Sequence, residues 1–335
     1  MLEKINFCIV ILLLIILQQA CNSPLDSPYP PLTWERKADF PSGGRAAATA
    51  ASINGKAYVL FGRDVAGIYQ NDCWEYDMIK DEWMQKSSCP GFSRVKAVSV
   101  AYQGKIYTGL GYNPREDLEE GALYNDSVYL KDFWEYDPTA DSWTRKADAP
   151  FLGSNACTAF LYKNEIYVGI GYYNINLGRK WWKYLPEKDE WVQINDFNGR
   201  SRFGSVSCTN GERTFFGTGF AVDNLNDWWE YSPSSDSWNE RKKLPDKGRS
   251  NAIAMSVQNR FFVATGLYFR GTLSGGGVKA DILEYNPERN VWYDHGSIPG
   301  LARENAITFT IHNKAYIGLG ENGSDILSDL LCFEP

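Results

Sequence analysis

The sequence predicts an all-β ring of six four-stranded sheets, a closed propeller, and two observations carry that prediction. Trp83, Trp143, Trp191, Trp238 and Trp292 each lie seven residues after a tyrosine: Tyr76, Tyr136, Tyr184, Tyr231 and Tyr285. From Trp34 onward these tryptophans are spaced by 49, 60, 48, 47 and 54 residues, near the ~50-residue period of one blade. The second observation is where the register breaks. Trp34 has no aromatic seven residues before it, and Phe333, near the C-terminus, has no tryptophan after it. One repeat is therefore split, with its last strand at the N-terminus. Pairing the two halves closes a ring and leaves no open edge between first and last blade.

Each period holds the same parts in the same order. First comes a run of small or apolar residues, as at 46–53, 95–102 and 306–311. Small side chains suit an innermost strand, where six sheets converge. Next is a β-rich stretch ending in glycine, at 57–62, 106–111, 166–171, 214–219, 261–266 and 315–320. A loop of variable length leads to a third strand, as at 74–77 and 134–137, and the tryptophan strand closes the unit. Alternation and aromatic content read as strands, and no stretch after residue 20 has a helical period. The bulky outer aromatics fill the space where blades diverge, so the twelve tryptophans read as blade-to-blade core.

This pattern resembles the kelch-repeat family of β-propellers over residues 34–335. The family's double glycine stands here as Gly-x-Gly in blades 2, 3, 4 and 6 and as one glycine in blades 1 and 5. The resemblance implies the fold and leaves the function open, because one such fold hosts unrelated activities.

Residues 1–20 stand outside the ring. The apolar run 5–17 has signal-peptide length and is too short for an ordinary membrane-spanning helix. Ala20-Cys21 after it resembles the lipobox of bacterial lipoproteins, although Gln18 stands where that motif has leucine. The resemblance implies acylation at Cys21 and an outer-membrane, envelope location, facing either the periplasm or the exterior. Residues 21–33, with four prolines from Pro24 to Pro31, read as a solvated tether.

A formal net charge of −7 argues against a nucleic-acid partner. Beyond Cys8 and Cys21, the five remaining cysteines (Cys73, Cys89, Cys157, Cys208, Cys332) have neither disulfide parity nor metal spacing. No cofactor or metal is expected, and a monomer is.

The loop entering each first strand and the loop leaving each second strand open on one face. At the first position stand Arg45, Arg94, Ser154, Arg202, Arg249 and Arg303. Five arginines around a mouth would bind a carboxylate or sulfate. A second ring, Asp72, Asp132, Lys180, Asp227, Asp281 and Asp329, lacks its aspartate in the one blade that lacks its arginine. That coincidence favours structural Arg–Asp clamps, because an arginine without its carboxylate would be an unpaired cation. Blade 3 is then the odd sector, with Ser154, Asn155, Arg179 and Lys180.

Ligand candidates on the same face are Lys96, Asn251, Glu304 and Asn305 beside the arginine positions. After the glycines come Arg63, Tyr112, Tyr172, Tyr173, Phe220, Tyr268 and Glu321. Aromatics at a concave mouth stack on a sugar ring or an apolar side chain, and Asn and Arg fix its orientation. The loops 112–131 and 267–280 are long enough to cover the mouth.

Two enzyme resemblances bear on function. Copper-radical galactose oxidases need converging histidine and tyrosine ligands. Here the two histidines, His295 and His312, fall on an outer strand and at a turn on the opposite face. Bacterial sialic-acid mutarotases share six kelch blades and export. Their pattern places glutamate just after a second-strand glycine, with arginine several residues later. Gly320-Glu321 matches its first half, and no arginine follows in that loop. The resemblance makes Glu321, and Glu304 beside the mouth, candidate acid/base groups. The reading favoured by the residues is an envelope-anchored propeller that binds a small sugar or a protein at its mouth. A sialic-acid mutarotase is the alternative.

Overall fold

The computed structural model describes residues 24–114, 129–151, 153–173, 176–269 and 276–335. They form six four-stranded antiparallel blades. Blade 1 comprises Thr49–Ile53, Lys56–Leu60, Cys73–Asp77 and Glu82–Lys86, and blades 2 to 5 repeat this order from inner to outer strand. Blade 6 takes its inner three strands from Ile307–Ile311, Lys314–Gly318 and Leu330–Glu334. Its outer strand is the N-terminal Thr33–Lys37, with Trp34 opposite Phe333. The split repeat is thus the closure of the ring.

Each Tyr/Trp pair packs ring on ring across the third and outer strands, with centroids 4.7–5.0 Å apart in blades 1 to 5 and 4.8 Å for Phe333 and Trp34. Burying the tyrosine ring also buries its hydroxyl, which needs a partner. Tyr76, Tyr136, Tyr184 and Tyr231 donate to an aspartate five residues on (Asp81, Asp141, Asp189, Asp236), and Tyr285 donates to Asn290, all at 2.6–2.8 Å. The same acceptors receive a backbone N–H from the preceding blade, as Ala38 to Asp81 and Ser87 to Asp141. Blade 6 takes its outer strand from Thr33–Lys37, so the tight turn that carries this acceptor in the other blades has no counterpart between its third and outer strands. Phe333, which has no hydroxyl, fits that position.

Two closed circles of backbone hydrogen bonds join the blades on the mouth side. In one, Ala47 donates to Asn305, Asn305 to Asn251, Asn251 to Gly204, Gly204 to Ala156, Ala156 to Lys96 and Lys96 to Ala47. All six residues are in the left-handed region, φ 51–62°. In the other, the marker glycines Gly62, Gly111, Gly171, Gly219, Gly266 and Gly320 each donate to the next blade's arginine or serine carbonyl. These glycines lie past the second strand rather than at its end. At φ 90–122°, with a neighbouring side-chain or backbone atom at 2.5–2.9 Å from any added Cβ, only glycine fits there.

The first strands line the axis with Ala, Ser, Thr, Val and Cys. The cysteines Cys73, Cys89, Cys157, Cys208 and Cys332 are free thiols. One expectation is modified. Part of the solvated tether is docked: Leu25–Asp26 runs parallel to Tyr293 and Asp294 at the edge of blade 5, and Tyr29 lies under Arg260 at 4.1 Å. Residues 1–23, including Cys21, and most of the loop 112–131 lie outside the described residues. Among the described residues no helix is long and apolar enough to cross a membrane.

Candidate functional site

The five ring arginines are clamps. Arg45, Arg94, Arg202, Arg249 and Arg303 are at most 1% exposed. Each grips both carboxylate oxygens of the aspartate in its own blade, at 2.5–2.9 Å. Each also donates to the carbonyl sixteen residues on, namely Phe61, Leu110, Thr218, Thr265 and Leu319. These carbonyls belong to residues at φ 58–63°, so the marker Gly and its predecessor shape the arginine's socket. In blades 1, 2 and 4 the following tryptophan (Trp74, Trp134, Trp229) donates its indole N–H to the same aspartate. Arg249 holds a second carboxylate, Asp246.

A bidentate pair of this kind stabilises the anion. Burial alone would raise the Asp132 carboxyl, but Arg94 outweighs it and holds the group below its usual range. The arginines therefore do not face a ligand: their side chains are out of solvent and their terminal nitrogens are bonded to aspartate and carbonyl, with Arg45 Nε alone of their nitrogens left without a partner among the described residues.

The remaining polar candidates converge at the throat of the mouth. The left-handed circle places Lys96, Asn251 and Asn305 around the axis, where with small neighbours they line a cavity of about 110 Å³. Lys96 Nζ donates to Asn251 Oδ1 at 3.4 Å, and Asn251 Nδ2 donates to Glu304 Oε2 at 2.8 Å. Asn305 Nδ2 reaches both carboxylates, Glu321 Oε1 at 2.8 Å and Glu304 Oε2 at 3.4 Å. Arg63 closes the chain on Glu321. Glu304 and Glu321 are themselves bridged through their backbones. Burial, with Glu321 nearby, pushes the Glu304 carboxyl above its usual range, while burial pushes the Lys96 ammonium down. An acid and a base linked through one asparagine are thereby moved toward neutral pH.

Beside this network the mouth is aromatic. Ring contacts run from Tyr69 to Tyr112, to Tyr129, to Tyr172, to Phe203, to Phe220 and to Phe269, with centroids 5.5–6.4 Å apart. Tyr173 joins at Tyr129. The arc spans blades 1 to 5, whereas the polar network comes from blades 5, 6, 1 and 2.

Asn155 pairs by backbone with Tyr172 at the arc's edge. Tyr268 sits on a rim hairpin opposite Gly277, and its neighbour Phe269 makes the arc's contact with Phe220. Tyr69, Tyr129, Phe203 and Phe269 were not singled out in the sequence. Tyr69 and Tyr129 stand three residues before Asp72 and Asp132, and Phe203 follows Arg202, so counting from the clamp markers finds these three, whereas Phe269 has no such register. Among the described residues no group of three or more His, Cys, Asp or Glu side chains is placed to hold a metal ion.

Comparisons with known proteins agree with this architecture. The kelch motif model matches residues 44–90, the first blade with its entry loop. The N-acetylneuraminate epimerase 1 of Escherichia coli O6:H1 is 27% identical over 161 residues, which is 40% of this chain and 43% of that protein. The N-acetylneuraminate epimerase of Shigella sonnei is 27% identical over 156 residues, 39% and 42% of the two chains. The match thus spans less than half the length of these relatives. A solved structure titled "Structure of YjhT" superposes with a TM-score of 0.74 at 17% identity, covering 88% of this chain and 96% of that one. The chain is therefore a six-bladed β-propeller with a kelch motif over its first blade, closed by its N-terminal strand.

Proposed function

We propose that the protein binds a carbohydrate at its axial mouth and is held at the bacterial envelope by a lipid on Cys21. The observation that carries the binding reading is the convergence of Asn251, Asn305, Glu304, Glu321, Lys96 and Arg63 at one throat, flanked by an aromatic arc. Amides and carboxylates bond to hydroxyls, and aromatic faces stack on the apolar face of a sugar ring. The relatives named as N-acetylneuraminate epimerases support an amino sugar acid within that class. Lipid attachment rests on the Ala20-Cys21 sequence after its apolar run. Cys21→Ser is expected to move the protein from the membrane to the soluble fraction in high salt, and a variant still sedimenting with membranes contradicts the anchor.

A second reading, interconversion of sugar anomers, is favoured by the opposed shifts of Glu304 and Lys96. Ring opening breaks the bond between the anomeric carbon and the ring oxygen. The anomeric hydroxyl loses a proton to a base as the ring oxygen gains one from an acid, and reclosure on the other face restores both. Lys96 and Glu304, linked through Asn251, are the candidates for base and acid. One NMR experiment reads both proposals: saturation transfer to N-acetylneuraminate, N-acetylglucosamine and galactose, and the rate of anomer exchange. Transfer to at least one sugar is expected, and it should be lost in Asn251→Ala/Asn305→Ala. Accelerated exchange that Glu304→Gln abolishes adds catalysis, whereas binding without acceleration limits the protein to recognition.

A further inference from the structure

We infer that blade 3 carries a second ligand site, distinct from the axial throat, where the missing clamp leaves a pocket for a ring-bearing organic carboxylate. The backbone there is the same as in the other blades. Ser154 N–H donates to Leu130 as Arg94 N–H does to Gln70, and Gly171 N–H donates to the next blade's Arg202. Ile170 keeps the left-handed φ of 61° that presents the socket carbonyl. Only the side chains have changed. Where five blades place a buried guanidinium and its carboxylate, blade 3 has Ser154 and Lys180, and a cavity of about 920 Å³ opens beside them. That is within the range of pockets that hold a drug-sized ligand, roughly 300–1,000 Å³.

The lining specifies the ligand. In blades 1, 2 and 4 the indole N–H after the clamp aspartate donates to its carboxylate. Trp182 occupies that register in blade 3, lines the cavity, and its buried Nε1 has no hydrogen-bond partner. An unsatisfied buried donor is costly, and an incoming carboxylate oxygen satisfies it as the absent aspartate would. Among the described residues, Lys131, Arg179 and Lys180 ring the opening against one acidic lining residue, Asp196. Among the described residues none of the three cations is in an ion pair. Phe151 stacks on Trp182 at 5.9 Å and 28°, which gives a flat wall for a ring. Tyr129 and Tyr173 belong both to this pocket and to the aromatic arc, so the two sites are neighbours.

The test is indole ¹⁵N NMR of the whole protein, with the Trp182 Nε1–H signal assigned through Trp182→Phe. Sodium benzoate and sodium glucuronate are the probes at matched ionic strength, with benzyl alcohol and methyl glucoside as neutral counterparts. The Trp182 signal is expected to shift with a carboxylate probe, and the neutral counterpart should bind about ten-fold more weakly, as for loss of a charge-assisted hydrogen bond. A response to benzoate alone assigns an aromatic acid, and a response to glucuronate assigns a uronic acid. Ser154→Arg/Lys180→Asp rebuilds the clamp and should abolish the shift while leaving sugar binding at the throat unchanged. Arg179→Gln/Lys180→Gln, which leaves the core untouched, should weaken carboxylate binding and flatten its salt dependence, and it decides the matter if the rebuilt clamp does not fold. A Trp182 signal unmoved by either carboxylate at high millimolar concentration overturns the site. So does carboxylate binding that survives in a folded clamp-rebuilt protein.

Discussion

Arg94 shows what a repeated residue does in this molecule. Its guanidinium is fully buried, pairs with Asp132 at 2.7 Å through both nitrogens, and donates to Leu110. Arg94→Ala leaves the Asp132 carboxylate buried and uncompensated, so a loss of about 3–5 kcal/mol is expected in urea unfolding near neutral pH. The sign with pH follows from the direction of the Asp132 shift. A carboxyl held below its unfolded value contributes stability above that value, about 3.9. That contribution disappears as pH falls through the lower folded value. The penalty of Arg94→Ala should therefore shrink in acid, and a penalty that stays constant down to pH 2 contradicts the pairing. The clamp was legible because Ser154 and Lys180 are missing partners in the same blade. The Glu304 network was not. Its bonds from Asn251 to Glu304 and from Arg63 to Glu321 join residues 53 and 258 positions apart, and only closure of the ring brings them together.

At the scale of the strand, the N-terminal Thr33–Lys37 decides whether the ring closes. Its five residues pair with Leu330–Glu334 over their full length, and Trp34 packs on Phe333. Trp34→Ala removes a large aromatic from the seam and should cost about 3–5 kcal/mol, broadening the unfolding transition as blade 6 frays first. A variant as stable as the parent contradicts closure by this strand. The split register made the closing strand readable from sequence, since a period of seven between tyrosine and tryptophan survives in every other blade. The docking of Leu25–Asp26 on blade 5 was not readable. Two residues between Pro24 and Pro28 carry no periodic signal, and what holds the segment is Tyr29 against Arg260 and Tyr293.

Across the whole molecule, what repeats from blade to blade is scaffold, and what departs from the repeat is where a ligand can act. Clamps, tyrosine–tryptophan pairs and backbone circles recur because every blade must meet its neighbour in the same way. Lys96, Asn251, Asn305, Glu304 and Glu321 have no such requirement, and neither does the emptied clamp of blade 3. This division is most directly tested by saturation-transfer NMR with the three sugars on wild type, Arg94→Ala and Asn251→Ala/Asn305→Ala, at a temperature where all are folded. Wild type and Arg94→Ala should show the same sugar signal, and the asparagine variant should show none. Loss of signal in Arg94→Ala with retention in the asparagine variant would make the arginine ring the ligand site and contradict this account.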